Sequence, residues 1–535
     1  MTGCANFALL YLLSLLVFFA CRPSANEGII LKLNNGTEPQ TLDPAIATGH
    51  PEFRVSMALF EGLTVYDPKD LSPRPGVAER WNVSGNGLNY TFYLRKNAKW
   101  SDGTPIEAET FRYSWLRALA PETASEYAYQ LWYIKNAEKY TKNQCKADAV
   151  GIKATDKYTL RVTLESPTPF FISLTSFHTY MPTPKHIIDK YGTDKWIKPE
   201  YFSGNGPFAL KEWRPKNYIK MIKSQTYWDK EKVRIDTVYF YPYEDASSGL
   251  EMFLNGELDW IDTVPSEQMD QMSKKAEFHK APHLALYYYN INIKSIKSLS
   301  DKRIRKALYL TVDRNLICKF IGKAGQIPAY GLVPLNMPGY SGYEGEKENP
   351  AKARKLLAEA GYPGGKNFPQ LTILYNTLED HKKIAEAIQQ MWKKELNIDA
   401  VLENQEWKVF LQKTQSKDYQ IARSGWTGDY VDPNTFMDMF VTGGGNNHTN
   451  WSNTMYDEFI RQAKYEQNPA ARMRIFREAE KLFMDELPII PIYYYVRVQM
   501  IKQYVKGVYD NILDLHPLKD VYIDSAERQK YNLTP

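Results

Sequence analysis

The sequence predicts a mixed α/β protein of two or three domains, with an α+β region in its first half. Three observations lead there. Its 535 residues exceed what one core usually organises. The first half carries short alternating apolar runs of strand type. After about residue 285, strands alternate with capped helices, the pattern of a parallel sheet.

The elements follow in order. Residues 29–34, 90–95 and 158–164 alternate apolar and polar side chains like half-buried strands, and 218–223 and 235–241 do the same. Asn349 caps a helix that has Pro350 in its first turn and Gly361 at its end. A strand over 371–376, a helix over 380–396 and a strand over 398–402 make a βαβ unit. Ile384, Ile388, Met391 and Trp392 share one face of that helix. Helices over 454–466 and 469–486 precede a last apolar run, 488–498.

Hydrophobic content of 43% and charged content of 24% are those of a soluble globular protein. The 38 tyrosines suit either a binding cleft or a Tyr-rich surface over a large core. Net charge is +5, with Lys and Arg interspersed among Asp and Glu. No basic tract exists, so nucleic acid is not an expected partner.

Residues 1–21 carry no charged side chain, and the apolar stretch 7–20 is too short to span a bilayer. It ends in Val17-Phe-Phe-Ala-Cys21, which resembles a bacterial lipoprotein cleavage site with Cys21 as the acylated residue. Phe18 and Phe19 are bulky for that pattern and no Lys or Arg precedes it, so an uncleaved anchor is the alternative. Either reading places the rest of the chain outside the cytoplasm. Cys4 would leave with the signal. Cys145 and Cys318 remain, free to pair in an oxidising compartment or to stay apart. No CxxC and no metal-like pair among the eight histidines is present, so no metal or cofactor is expected.

The stretch Arg423-Ser-Gly-Trp-Thr-Gly-Asp-Tyr-Val-Asp-Pro433 sets Asp429 among glycines and aromatics. A carboxylate so placed is a catalytic acid/base, a fixed partner for a cation, or a turn former. HExxH, Walker A, GxSxG and SxxK signatures are all missing, and Gly443-Gly-Gly445 lacks a strand–loop–helix context. A carboxylate-pair hydrolase stays open, because its two acids need not be close in sequence. In open α/β sheets, ligands sit beyond the carboxyl ends of strands. His381 follows strand 371–376 there, and Asp429 follows a strand over 419–423. This suggests an anionic pole at Asp429 and a cationic pole near His381. His381 also reads as a plain helix-start residue, and Trp407 as core.

Several segments carry a family resemblance: Glu38-Pro-Gln-Thr-Leu-Asp-Pro44, Leu59-Phe-Glu-Gly-Leu63, Leu94-Arg-Lys-Asn-Ala-Lys-Trp-Ser-Asp-Gly-Thr-Pro105, Asn205-Gly-Pro207 and Asp313-Arg314. Pro328-Ala-Tyr-Gly331, Leu356-Leu-Ala-Glu-Ala-Gly-Tyr362, Leu374-Tyr-Asn-Thr377, Asn404-Gln-Glu-Trp407 and Pro491-Ile-Tyr-Tyr-Tyr-Val496 continue it in order. The chain resembles the periplasmic oligopeptide-binding proteins (extracellular solute-binding protein family 5), receptors of ABC peptide importers. The resemblance spans nearly the whole mature chain. It implies a two-lobed periplasmic-binding-protein-like fold with a third, inserted domain. The first lobe would take 29–61, 187–285 and 497–535; the insert 62–186; the second lobe 286–496. Strands near Tyr287–Asn290 and Tyr494–Val496 would be the hinge.

The same resemblance assigns roles. Asp429 would hold a peptide's α-ammonium, and Gly425 and Thr427 would offer backbone contacts. Trp407, Trp426, Tyr127 and Tyr495 would be aromatic walls and Asn446 a polar contact. Arg423 and His381 would meet the ligand's carboxylate, favouring peptides of about three to five residues. Thr48 and His50 stand where relatives often carry a carboxylate and an aliphatic residue, and Thr427 replaces a family cysteine. The implied protein is a monomeric, lipid-anchored receptor, not an enzyme, that hands short peptides to ABC permease subunits. Relatives bind dipeptides, murein peptides, haem, nickel or glutathione, and these remain alternative ligands. A cell-envelope hydrolase, or an adhesin or sensor, is the reading from a different class.

Overall fold

The structure is a computed structural model that describes residues 28–466 and 468–532. The expected signal segment, with Cys4 and Cys21, lies outside the described residues.

The largest sheet among the described residues has eleven strands. Ten of them run in the order 400–405, 371–376, 421–427, 278–291, 489–501, 260–261, 30–34, 237–241, 218–223, 208–214, and 327–328 joins beside 489–501. The middle of this sheet is one antiparallel pair, Phe278–Ile291 with Ile489–Ile501. On one side lies the βαβ unit, whose strands Leu371–Asn376 and Ala400–Gln405 are parallel. On the other lies Ile30–Asn34, parallel to Thr237–Tyr241. Each half is therefore an α/β lobe, and the long pair passes through both. Within 62–186 a separate four-stranded antiparallel sheet forms, and it includes the strands read at 90–95 and 158–164. Its neighbour, helix Ala108–Leu119, buries Phe111, Trp115 and Leu119.

Local sequence explains the helices. The Asn349 side chain accepts from the Lys352 amide, Pro350 occupies the first turn, and Gly361 follows the end at φ +98°. Helix Glu379–Leu396 buries His381, Ile384, Ala385, Ile388, Trp392 and Leu396, at spacings of three and four. Trp392 is fully buried, and its Nε1 donates to the Leu308 carbonyl at 3.1 Å. Helices Thr454–Tyr465 and Pro469–Glu486 lie where expected.

Most expected strands shift by one or two residues at an end, and two of the shifts have a clear physical cause. The strand expected at 398–402 begins at Ala400, because Asn397 turns left-handed (φ 55°) and the Ile398 amide closes the helix on the Trp392 carbonyl. The strand expected at 419–423 runs from Ile421 to Thr427, because its long neighbour pairs with it throughout. Cys145 and Cys318 are free thiols, so the pairing left open by sequence does not form. Among the described residues no helix is long and apolar enough to cross a membrane.

Replacing Trp392 by Ala is expected to destabilise the protein by about 3–5 kcal/mol, since it empties a packed site between helix and sheet and frees a buried carbonyl. Urea denaturation followed by far-UV circular dichroism measures it. A loss within error would show that this interface is not packed as described.

Candidate ligand-binding site

A cavity of about 430 Å³ lies between the two halves of the long sheet, inside the range of small-ligand sites of about 300–1,000 Å³. It brings together all twelve residues read from sequence as ligand contacts: Thr48, His50, Tyr127, His381, Trp407, Arg423, Gly425, Trp426, Thr427, Asp429, Asn446 and Tyr495. Cys21, the expected lipid site, lies outside the described residues.

One wall is strand Ile421–Thr427. Ile421 and Ala422 pair with strand 371–376, while the whole strand pairs with 285–291. From Arg423 to Thr427 the strand thus has a neighbour on one side only among the described residues. Arg423, Gly425 and Thr427 alternate onto one face. A Cβ on Gly425 would sit 3.1 Å from the Tyr495 hydroxyl and 3.3 Å from Arg423 Nη2, so glycine keeps room for that pair.

Asp429 follows the strand end and is buried. Its backbone amide donates to Thr435 Oγ1 at 2.8 Å, and Gln130 Nε2 donates to its Oδ2 at 2.7 Å. Among the described residues no Lys, Arg or His lies within ion-pair distance. Burial, then the charge of Asp438, hold its carboxyl well above the usual carboxylate range, while Gln130 and Tyr127 pull it partly back. Beside it, Trp426 donates Nε1 to the Thr435 carbonyl at 2.7 Å and stacks on Tyr127, centroids 5.9 Å apart. Tyr127 stacks in turn on Tyr129, whose hydroxyl accepts from Asn446 Nδ2 at 3.2 Å.

Further along the wall sits Arg423. Its Nη2 donates to the Tyr495 hydroxyl at 2.8 Å, its Nη1 to Asn376 Oδ1 at 3.3 Å, and it lies 4.7 Å from the Tyr287 ring centroid. Its Nε has no protein partner and no carboxylate pairs with it among the described residues. The positive pole therefore belongs to Arg423, which corrects the expectation centred on His381. Burial and the neighbouring Arg423 charge keep the His381 imidazole well below its usual range, hence neutral, with Nδ1 3.2 Å from the Asn376 carbonyl oxygen.

The opposite wall is differently organised. Arg54 pairs with Asp262 at 2.9 Å and Arg497 with Asp514 at 2.9 Å. Gln499 and His516 also contact Asp514, at 2.6 and 2.9 Å. His50 lies 3.8 Å from Asp514, yet burial and Arg54 push its imidazole down to about 3. His283, pushed down to about 4 mainly by burial, faces Thr427 at 3.5 Å. Thr48 Oγ1 and His50 Nε2 are buried without a hydrogen-bond partner among the described residues. Trp407 stacks on Phe410, centroids 5.8 Å apart, and its indole faces the buried Glu52 carboxyl.

Sequence reasoning missed Gln130, Asp438 and the Glu126–His448 pair at 3.2 Å. A signal existed for the first two. Gln130 interrupts the aromatic run 127–133, and Asp438 interrupts the apolar run 436–440. A polar residue inside such a run has to find a buried partner.

Two α/β lobes joined through one long strand pair, with a cavity between them, define the class of two-lobed periplasmic-binding folds. The profile of Bacterial extracellular solute-binding proteins, family 5 Middle, matches residues 72–448. The oligopeptide-binding protein OppA of Bacillus subtilis is 38% identical over 495 residues, 89% of this chain and 90% of its own. Haemophilus influenzae OppA in complex with RPPGFSPFR superposes at TM-score 0.89 and 33% identity, covering 93% of this chain and 99% of that one. The murein tripeptide-binding protein MppA in its unliganded open form reaches 0.62 at 34% identity, covering 94% and 98%. The chain belongs to the family 5 bacterial extracellular solute-binding proteins. At nearly equal identity, this structure superposes more closely on the peptide complex than on the unliganded open form.

Asp429 makes ligand-free stability depend on pH. Its folded carboxyl holds its proton to higher pH than the unfolded one, so its contribution is greatest at acid pH and is lost as pH rises through its folded value. Asp429→Asn is therefore expected to raise the melting temperature of ligand-stripped protein at pH 8 and to leave it unchanged near pH 4. Scanning fluorimetry reads both; an equal change at the two pH values would contradict the assignment.

Proposed function

We propose that the protein is an extracytoplasmic receptor that closes over short oligopeptides and passes them to an ABC permease. The observation that carries this reading is Asp429: a buried carboxyl with no protein cation, at the end of a strand whose free edge lines the cavity. An α-ammonium suits that carboxyl, and it is present on every peptide whatever its side chains. A peptide laid along 423–427 would extend the sheet by backbone hydrogen bonds, which give affinity without reading sequence. Arg423 would take the carboxylate end. From Arg423 to Thr427 the strand advances about 13 Å, the reach of a peptide of about four residues. The relatives named above are an oligopeptide-binding protein, a receptor in complex with a peptide and a murein tripeptide-binding protein, which supports the same reading.

The moving bodies are proposed as 29–61 with 187–285 and 497–535, carrying the insert 62–186, against 286–496. Cys21 is proposed as the lipid anchor, the chain as a monomer, and the site as non-catalytic. Closure and affinity are then one equilibrium, since the ligand binds both lobes only when they meet.

Asp429→Ala is expected to weaken a tri- or tetrapeptide by about 2–5 kcal/mol, because it strands a buried ammonium. Titration calorimetry measures this, and N-acetylation of the peptide should have a comparable effect. Unchanged affinity in either case would remove Asp429 from the site. Recovery of the peptide intact after long incubation separates a receptor from a hydrolase.

A further inference from the structure

Behind Asp429 lies a second buried carboxyl, Asp438, which the peptide reading does not use. Its Oδ2 accepts from the Tyr133 hydroxyl at 3.1 Å, the Tyr430 hydroxyl at 3.1 Å and Asn434 Nδ2 at 2.9 Å. Asn434 Nδ2 also reaches the Tyr133 hydroxyl at 2.7 Å, and the two tyrosine hydroxyls are 3.0 Å apart. Its Oδ1 is buried without a protein partner. No ion pair reaches Asp438 among the described residues. The third carboxylate nearby, Asp432, is taken by Arg472 at 2.5 Å and 2.9 Å. Lys464 faces the cluster but donates to the Trp132 carbonyl at 3.0 Å, and its Nζ is 5.3 Å from the Tyr133 ring centroid. The other titratable groups facing the two acids are Tyr66, Tyr127, Tyr129 and Tyr456, all neutral phenols.

Two buried carboxyls, neither with a counter-ion, share one water-poor region. Two negative charges there, unneutralised, are costly. We propose that Asp438 is a positioning residue for Asp429: the pair holds one proton between them when no cation is bound, and an arriving ammonium expels that proton to solvent. The O–H bond of the carboxyl breaks, the proton passes to buffer, and the ammonium takes its place as the neutralising charge. Which acid carries the proton is a property of the pair. In support, burial raises Asp438 to about 7, with Tyr430 and Tyr133 pulling against it. Tyr133 comes from the 62–186 segment and Asp438 from the opposite lobe, so the cluster is complete only when those segments meet. The inference rests on the peptide reading of Asp429.

Titration calorimetry of the full chain with trialanine, in buffers of different ionisation enthalpy, tests it. Near neutral pH, binding should release up to about one proton, and affinity should fall about tenfold per pH unit on the acid side of the midpoint. Asp438→Asn should move that midpoint toward acid, because one charge near Asp429 is gone. Tyr133→Phe keeps the charge and removes a donor that stabilises it, so it should move the midpoint toward alkali. Release with opposite shifts supports the proposal. Binding without proton release from pH 5 to 8.5, or both variants weakening binding equally at every pH, overturns it while leaving the peptide reading intact. No binding of trialanine at any pH would overturn both.

Discussion

Strands Phe278–Ile291 and Ile489–Ile501 are the constraint on which the rest depends. They pair in register from Phe278 with Met500 to Pro282 with Val496, lose register over 283–285, resume with Leu286–Tyr494 and Tyr287–Tyr493, slip once more, and run from Tyr288 with Pro491 to Asn290 with Ile489. A break of this kind adds twist and lets a ribbon bend where the ladder is interrupted. Pro282 stands at the break, where its missing N–H costs least. His283 and Tyr495 fall inside it, and both line the cavity. The break in the ladder and part of the cavity lining are therefore the same residues. The tyrosines that made composition ambiguous are spent here: Tyr287, Tyr288, Tyr289, Tyr493 and Tyr494 are all buried around the pair.

Electrostatics divide the cavity. On the wall of His50, two buried pairs are matched, Arg54 with Asp262 and Arg497 with Asp514, while the buried Glu52 carboxyl accepts from the Gln40 amide and burial raises it above its usual range. On the wall of strand 421–427, Asp429 and Arg423 are held by neutral donors and acceptors only. A closed set of pairs has little to gain from a ligand. An unpaired buried charge has much, since its desolvation is already spent and its Coulomb partner is missing. On the proposed reading, the second wall suits a ligand with a cation at one end and an anion at the other, set against a first wall whose Arg–Asp pairs are already matched.

What the sequence made legible was local. Helices 350–359 and 379–396 are written in caps and in a 3.6-residue period, signals carried by neighbours along the chain. The strand at 421–427 was read short because its last residues owe their conformation to partners 285–289, remote in sequence. The site residues were legible as positions at the carboxyl edge of a parallel sheet, together with a family resemblance. Their charge states were not. His381 looks like a cation in sequence, and only packing reveals burial beside a guanidinium that can never release its proton. Gln130 was missed because nothing near 130 in the chain points to residue 429.

That long-range contact also explains why an inserted segment belongs to the site. Residues 62–186 form their own sheet and could stand as a separate body, yet they supply Gln130 to Asp429, Tyr127 to Trp426, Glu126 to His448 and Tyr133 to Asp438. Phe170 adds a stack on Tyr430, centroids 4.3 Å apart. Across the other rim, Lys383 meets Glu267 at 2.6 Å and Ser266 meets Asp380 at 2.8 Å. The rim pair is exposed, so salt screens it and it contributes little. The contacts of the inserted segment are largely buried and aromatic, and they gather around Asp429 and Asp438, two carboxyls without a counter-ion among the described residues. Closing the lobes without a cation thus brings favourable packing and an unfavourable buried charge together. Closing them around an ammonium keeps the first and removes the second, which is how a binding site makes its closed state depend on its ligand.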